Sequence, residues 1–213
     1  MKKSFALLVV CMLVIGLLAG CGGGDKKPAA PAAPAADKKV FVNIATGGTA
    51  GVYYPLGGAM AEIFNKNIPG MNASAQSTGA SVANINLIKD GKVEVALVQN
   101  DIAYYAANGT EMFKDKKVEA IQGIASLYNE TIQIVTIEGK GIKTVADLKG
   151  KRVAVGALGS GTEANARQIM EIFGITYADI KPQYLSFGEA ANGLKDGNID
   201  VAFVTAGDPT AAI

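Results

Sequence analysis

The chain of 213 residues has no histidine, no tryptophan, only two arginines and only two cysteines, Cys11 and Cys21, both in its first 21 residues. A metal site built on His or Cys is thereby excluded from everything downstream, as are Ser-His and Cys-His catalysis. A carboxylate-only calcium or magnesium site needs neither residue type, but no EF-hand spacing occurs. Charged residues make up 18% of the chain and the net charge is +1. Setting aside Lys2 and Lys3 leaves 18 basic against 19 acidic residues, without the basic face that a nucleic-acid partner requires. The reading is of a protein with no catalytic group, no metal and no cofactor of its own.

What is there begins with a targeting pattern. Lys2-Lys3 is a short positive region, and residues 5–18 are apolar but short for a membrane span. Leu18-Ala19-Gly20-Cys21 then resembles the bacterial lipobox. Residues 1–20 are expected to be a lipoprotein signal peptide, with Cys21 lipidated as the first mature residue. Residues 21–38 are rich in Gly, Pro and Ala and have no face to bury. They read as a flexible tether, reaching on the order of 50 Å at about 3.1 Å per Pro-rich residue. The chain is expected to be exported and lipid-anchored to a membrane, at the cell surface or in the periplasm. No later segment is apolar for long enough to span a bilayer.

The folded part is organised around a Gly-rich turn, Thr46-Gly47-Gly48-Thr49-Ala50-Gly51-Val52-Tyr53-Tyr54-Pro55, set between an apolar run at 40–45 and an amphipathic stretch at 56–64. This is strand, glycine loop, helix. Such a loop aims backbone N–H groups at one point, and the helix dipole adds positive charge there, so a small anion is its natural guest. A similar unit recurs at Val153-Ala-Val-Gly-Ala-Leu-Gly-Ser-Gly-Thr-Glu163. The two loops are expected to face each other across a ligand cleft.

Between them the pattern alternates. Strands are expected at 72–77, 93–98, 118–126, 131–137, 151–155, 183–185 and 199–204, with a helix over 82–88 and another from Ile102. Leu56, Ala59, Met60, Ile63 and Phe64 are expected to form the buried face of the first helix, and Ile169, Met170 and Phe173 that of a later one. Thr144 with Asp147, Ser160 with Glu163 and Ser186 with Glu189 have capping-box spacing. The order β-α-β-α-β, twice, indicates an α/β protein with largely parallel sheets. Lys89-Asp-Gly-Lys-Val-Glu-Val-Ala-Leu-Val98 also matches Lys195-Asp-Gly-Asn-Ile-Asp-Val-Ala-Phe-Val204 without a gap, at an offset of 106 residues. Two similar lobes follow, over 39–135 and 136–213. Gly207-Asp208-Pro209-Thr210 reads as the start of a helix that the sequence does not continue, so the second lobe is expected to be incomplete.

Ligands in open α/β sheets sit at strand carboxyl ends, which singles out the two loops. In the first, backbone groups at Gly47, Gly48 and Gly51 with Thr49 would hold a carboxylate, and Tyr53 or Tyr54 would cover it. In the second, Gly159, Ser160, Gly161 and Thr162 are the candidates. Gly159-Ser-Gly161-Thr-Glu-Ala164 also fits the dinucleotide pattern G-x-G-x-x-A, but its twin at Gly47 does not and no P-loop is present. Gln99 and Asp101 end a strand on the cleft side. Asp101 would either pair with a ligand ammonium or cap its own helix, and Thr210 occupies the corresponding place in the second half. Arg152 stands at the wrong end of its strand for the cleft and Arg167 beyond the first turn of its helix, so backbone donors must hold the anion.

The lipobox, the sequence Thr-Gly-Gly-Thr-Ala-Gly-Val-Tyr-Tyr-Pro-Leu-Gly-Gly at 46–58, Gln99-Asn-Asp-Ile-Ala103, Gly159-Ser-Gly-Thr-Glu-Ala-Asn165 and Ala206-Gly-Asp-Pro-Thr-Ala-Ala212 together resemble the TAXI family of solute receptors of tripartite ATP-independent periplasmic (TRAP) transporters. The resemblance implies a two-lobed, type II periplasmic-binding-protein fold that closes on its ligand. It implies a small carboxylate or amino acid, glutamate-like, as that ligand, and delivery to a TRAP-type membrane permease driven by an ion gradient. Members of that family run on past position 213. Two other readings compete: a nucleotide-dependent enzyme using the Gly159 loop, and a surface lipoprotein acting as sensor or adhesin.

Overall fold

The structure, a computed structural model, describes residues 39–213. The expected signal peptide, the lipidation site Cys21 and the tether lie outside these residues. Strand β1 (Val40–Ala45) runs into the glycine loop and then into α1 (Tyr53–Asn67). The chain continues through β2 (Met71–Gln76), α2 (Ser81–Lys89), β3 (Val95–Ala96) and α3 (Asn100–Asn108). After a long irregular connection come β4 (Thr131–Thr136), β5 (Arg152–Ala154), α4 (Gly161–Ile172), β6 (Lys181–Gln183), α5 (Phe187–Lys195) and β7 (Val201–Ala206).

Two sheets result. The first has the order β2-β1-β3, all parallel. The second has the order β4-β7-β5-β6, parallel except for β4, which pairs antiparallel with β7 from Thr131↔Ala206 to Thr136↔Val201. The expected division at 135/136 cuts β4, and all of that strand belongs to the second sheet, so the change of sheet precedes Thr131.

The repeat seen in the sequence is a repeat of structure. At the end of α2, Asp90 N–H bonds to Asn86 O, Gly91 N–H to Ile88 O and Lys92 N–H to Leu87 O. At the end of α5, Asp196, Gly197 and Asn198 donate to Asn192, Leu194 and Gly193 in the same pattern. Gly91 and Gly197 take left-handed conformations there (φ +65° and +71°), which favour glycine because it has no Cβ to clash. The strands that follow, β3 and β7, each pair parallel with the strand of a glycine loop, β1 and β5.

The core follows the layers. Val153, Val201 and Phe203 pack with Ala166 and Met170 of α4 on one face of the second sheet. Ala154 and Ala202 pack with Ala190 and Leu194 of α5 on the other. All six residues of β7 are buried, as expected of a central strand covered on both faces. In the first sheet Ile44 and Ala73 pack against Ala61, with Met60 and Phe64 alongside. A fourth cluster joins α2 and α3 (Ile85, Ile102, Ala106) to Ala164 of α4, linking the two halves.

Several expectations need correction. Residues 118–126 form no strand. Val118 is buried against α3, but no strand pairs with the stretch that follows, and a strand exists only as part of a ladder. The run 93–98 contributes only two ladder residues, Val95 and Ala96, both paired with β1. The buried stripe of α1 is Gly57, Met60, Ala61 and Phe64, while Ala59 and Ile63 face out. Phe173 caps the C-terminus of α4 and is exposed. Residues 207–213 form no helix: one turn bond, Ile213 N–H to Thr210 O, replaces the i→i−4 ladder. The boxes at Thr144/Asp147 and Ser186/Glu189 are complete. That at Ser160/Glu163 is half formed: Ser160 Oγ accepts from Glu163 N–H at 3.1 Å, but the Glu163 carboxylate accepts from Tyr177 Oη at 2.6 Å.

Candidate functional site

The first glycine loop is held from below by a buried polar knot. Thr46 N–H and Oγ1–H both donate to Gln76 O, at 2.9 and 2.6 Å. Asn84, fully buried on α2, donates through Nδ2 to Thr46 O at 2.6 Å and to Leu97 O at 2.8 Å. One side chain thus joins the carboxyl ends of β1 and β3. The sequence reading passed over it, since an Asn in a helix carries no signal of what it will meet. Gly57 lets α1 lie on this knot, because a Cβ there would stand 2.5 Å from Thr46 Cγ2.

Above the knot is a cavity of about 60 Å³. One ordered water needs about 10–15 Å³ by this measure, so the space suits a small solute. Both glycine loops form its wall: Gly47, Gly48, Gly51 and Tyr53 from the first, Ser160 and Thr162 from the second, with Gln99 between them. Of the remaining sequence candidates, Asp101 lines an adjoining groove of about 850 Å³, and Thr49, Tyr54, Gly159, Gly161 and Thr210 line neither space. Thr49 and Tyr54 are exposed, and Thr210 is buried with its hydroxyl unpartnered among the described residues.

Gly159 and Gly161 serve close approach. The Gly159 carbonyl accepts from the N–H groups of Val82 and Ala83, at 3.0 Å each, which occupies the free amides at the start of α2. Gly161 packs directly on the Gln99 side chain, which fills the place a Cβ would need. Gln99 Nε2 donates to Asn165 Oδ1 at 2.8 Å, and Thr205 Oγ1 donates to the same oxygen at 3.2 Å. Asp101 accepts from its own helix at Ile102 N–H (2.8 Å) and from Asn165 Nδ2 (2.8 Å). Its carboxylate is therefore engaged in tying α3 to α4.

The wall also holds groups the sequence reading missed, among them Thr78, Ser186, Phe187 and Glu130. Ser186 was legible as a helix cap. Glu130 had no signal, lying between two expected strands of which one does not form. Tyr53 Oη donates to Glu130 Oε2 at 3.0 Å and Tyr128 Oη to Glu130 Oε1 at 3.3 Å, with the two rings edge-on, centroids 6.5 Å apart. Burial, and next the charge of Glu130, push both phenols well above their ordinary range. Burial raises the Glu130 carboxyl as well, against the two tyrosine hydrogen bonds, and the charge of Asp101 adds to the rise. Among the described residues Glu130 is the one charged side chain in the wall, which contains no Lys or Arg.

The N-terminal end of α1 also borders the cavity, through Val52 and Tyr53. No side chain caps that helix and no acidic residue stands in its first turn, so its dipole and leading amides remain available to an anion. The hydroxyls of Ser160 and Ser186 are engaged as helix caps. The arrangement is suited to holding a small polar molecule by both ends. Arg152 stands apart at the far end of its strand, paired with Asp200 at 2.6 Å, and Arg167 pairs on the surface with Glu171 at 3.6 Å.

Comparison with solved structures identifies the fold. The alkanesulfonate-binding protein SsuA from Xanthomonas axonopodis pv. citri, bound to MOPS, superposes with a TM-score of 0.52 at 21% identity, covering 82% of this chain and 56% of that one. An ABC uptake transporter substrate binding protein from Streptococcus pneumoniae with bound histidine gives 0.54 at 19% identity, covering 78% and 65%. The binding protein component of an ABC phosphonate transporter from Pseudomonas aeruginosa gives 0.55 at 13%, covering 79% and 58%. The fold is the two-lobed α/β fold of type II periplasmic binding proteins.

Within that class, residues 44–213 match the family model described as NMT1-like, and the chain belongs to the NMT1-like family. A putative aliphatic sulfonates-binding protein of Escherichia coli (strain K12) is 37% identical over 67 residues, 32% of this chain and 21% of that protein. The chain spans between about half and two thirds of the length of the solved structures it matches.

Proposed function

We propose that this chain is an extracytoplasmic solute receptor that captures a small carboxylate or amino acid between two lobes, divided before Thr131, and delivers it to a membrane transporter. The observation that carries this reading is the single cavity walled by both glycine loops, with the uncapped end of α1 at its edge. Gly47, Gly48, Gly51, Tyr53, Gln99, Ser160 and Thr162 are the ligand-binding residues of the proposal, joined by Glu130. The fold of type II binding proteins and membership of the NMT1-like family support a binding role over an enzymatic one. A nucleotide at the Gly159 loop is disfavoured, since the Gly159 carbonyl is bonded to α2 and Gly161 is covered by Gln99.

The transporter we propose is of the TRAP type, on the strength of the motifs at 46–58, 99–103, 159–165 and 206–212. Several structural relatives bear the names of ABC-transporter components, so an ABC importer is the second reading. Uptake in vesicles carrying the receptor and its permease separates them. The TRAP reading expects transport to follow an imposed ion gradient without ATP, and transport that needs ATP hydrolysis would contradict it. We further propose that Cys21 is lipidated and tethers the receptor to the membrane. Metabolic labelling with palmitate should mark the wild-type chain and not Cys21→Ser, and equal labelling of both would exclude the anchor.

Binding itself is tested by isothermal titration of the purified chain with L-glutamate, L-alanine, glutarate, propionate and ethanesulfonate. Saturable one-site binding of at least one, without turnover, is expected. A folded protein that binds none would contradict the receptor reading.

A further inference from the structure

The cavity carries a charge that no resemblance and no capping pattern foretold. Its wall contains a carboxylate, Glu130, and no cationic side chain. The carboxylate is reached by two tyrosine hydroxyls, at 3.0 and 3.3 Å. Those two bonds use one acceptor site on each oxygen, and a carboxylate offers about four. Neutral hydroxyls satisfy hydrogen bonding but supply no counter-charge, and a charge out of water without a partner is costly. Partial burial, and after it the charge of Asp101, push the Glu130 carboxyl upward against the two tyrosine hydrogen bonds. The opposite charge is therefore absent from the protein side of the cavity.

We propose that Glu130 is the specificity-determining residue of this site and receives the ammonium of the ligand, while the end of α1 with the Gly47–Gly51 loop receives the ligand's anionic group. This rests on the receptor reading above and narrows it to small zwitterions. Tyr53 lines the cavity and touches Glu130, so it links the two recognition elements. Tyr128, lying edge-on to Tyr53, holds the other carboxylate oxygen in place. A simple carboxylate or sulfonate would fill the anionic end equally well but would leave Glu130 half-buried and without a counter-charge. The site discriminates by what it leaves unsatisfied, a stronger filter than shape alone.

The test uses ligand pairs that differ only in the ammonium: L-glutamate with glutarate, L-alanine with propionate, and taurine with ethanesulfonate. Each is titrated into the wild-type chain, Glu130→Gln and Glu130→Asp, with circular dichroism and a thermal melt confirming that each variant is folded. For whichever pair binds, the wild type is expected to prefer the amino member by at least about 30-fold, the scale of removing one partner from a buried charge pair. Glu130→Gln should cut that preference at least tenfold, mainly by weakening the amino member. Glu130→Asp keeps the charge and should fall between the two. A wild type that binds the des-amino member equally well, or a folded Glu130→Gln with unchanged preference, would overturn the assignment and leave the receptor reading standing. If Glu130→Gln does not fold, unchanged preference in Glu130→Asp together with a wild-type preference below tenfold would overturn it. A folded wild type that binds no member of any pair would overturn the receptor reading itself.

Discussion

Gly161 and Gly58 are both helical glycines, yet one methyl group should have opposite effects at the two. A Cβ on Gly161 would collide with the Gln99 side chain, which is buried and held by Asn165. Overpacking of this kind costs about 1–3 kcal/mol, so Gly161→Ala should lower the urea midpoint. A Cβ on Gly58, in the interior of α1, would meet nothing within 4 Å. Gly58→Ala should raise stability by about 0.5–1 kcal/mol, because glycine loses more backbone freedom on folding. Two charged sites have opposite pH signatures. Hydrogen bonds from Arg152, at its backbone N–H, Nε and Nη2, hold the Asp200 carboxyl well below the usual carboxylate range. A lowered folded pKa means stability that is present above the unfolded value of about 4 and lost as pH falls below it. The urea midpoint of Asp200→Asn should therefore lie below wild type at pH 7, with the gap beginning to narrow as pH falls below about 4 and closing only toward the much lower folded value. At Glu130 the folded value is raised, so its contribution is favourable at low pH and lost as pH rises through that value. Ligand-free Glu130→Gln should consequently be at least as stable as wild type at pH 8, as thermal melts would register.

At the scale of elements, the internal repeat exposes an asymmetry. β7 is flanked by β5 on one side and β4 on the other, whereas its counterpart β3 is flanked by β1 alone among the described residues. Both β3 and residues of the 121–130 connection line the large groove. Amides of 94–98 not bonded to β1 should exchange with solvent well before those of β7, and equal protection measured by hydrogen exchange would contradict this pairing. The same asymmetry explains what could be read from the sequence. The run 199–204 was legible because it is apolar and repeats 93–98, and the start of the helix before it because Ser186 and Glu189 have capping-box spacing. The stretch 118–126 looked equally strand-like, but pairing is a property of two segments and no described segment pairs with it. Glu163 matched a capping box and instead bonded Tyr177, 14 residues away. Local signals lost wherever a distant partner offered a better bond.

At the scale of the molecule, the two halves meet through polar contacts around the cavity. Gln99 and Asp101 reach Asn165, and Val82 and Ala83 hold the carbonyl of Gly159. The glycine loops on the cavity wall were readable from their own sequence, because strand, glycines and helix start are adjacent in the chain. Asn84, Glu130 and Thr205 were not, because their roles arise only when residues 38, 77 and 40 positions apart come together. In type II binding proteins a cleft between lobes closes on ligand by hinge motion, and the contacts through Asn165 are the ones a closed form would keep. Asn165→Ala should remove both the Gln99 and the Asp101 links and weaken solute binding several-fold with little change in the circular dichroism spectrum. An unaltered affinity would separate these contacts from closure. The central claim, that this cavity holds a small solute, is tested most directly by native mass spectrometry of the purified chain. The expected spectrum is a folded charge envelope carrying the added mass of a small amino acid or carboxylate, lost on denaturation and restored by a ligand that saturates in titration. A folded envelope at the bare protein mass, unmoved by every solute added, would contradict it.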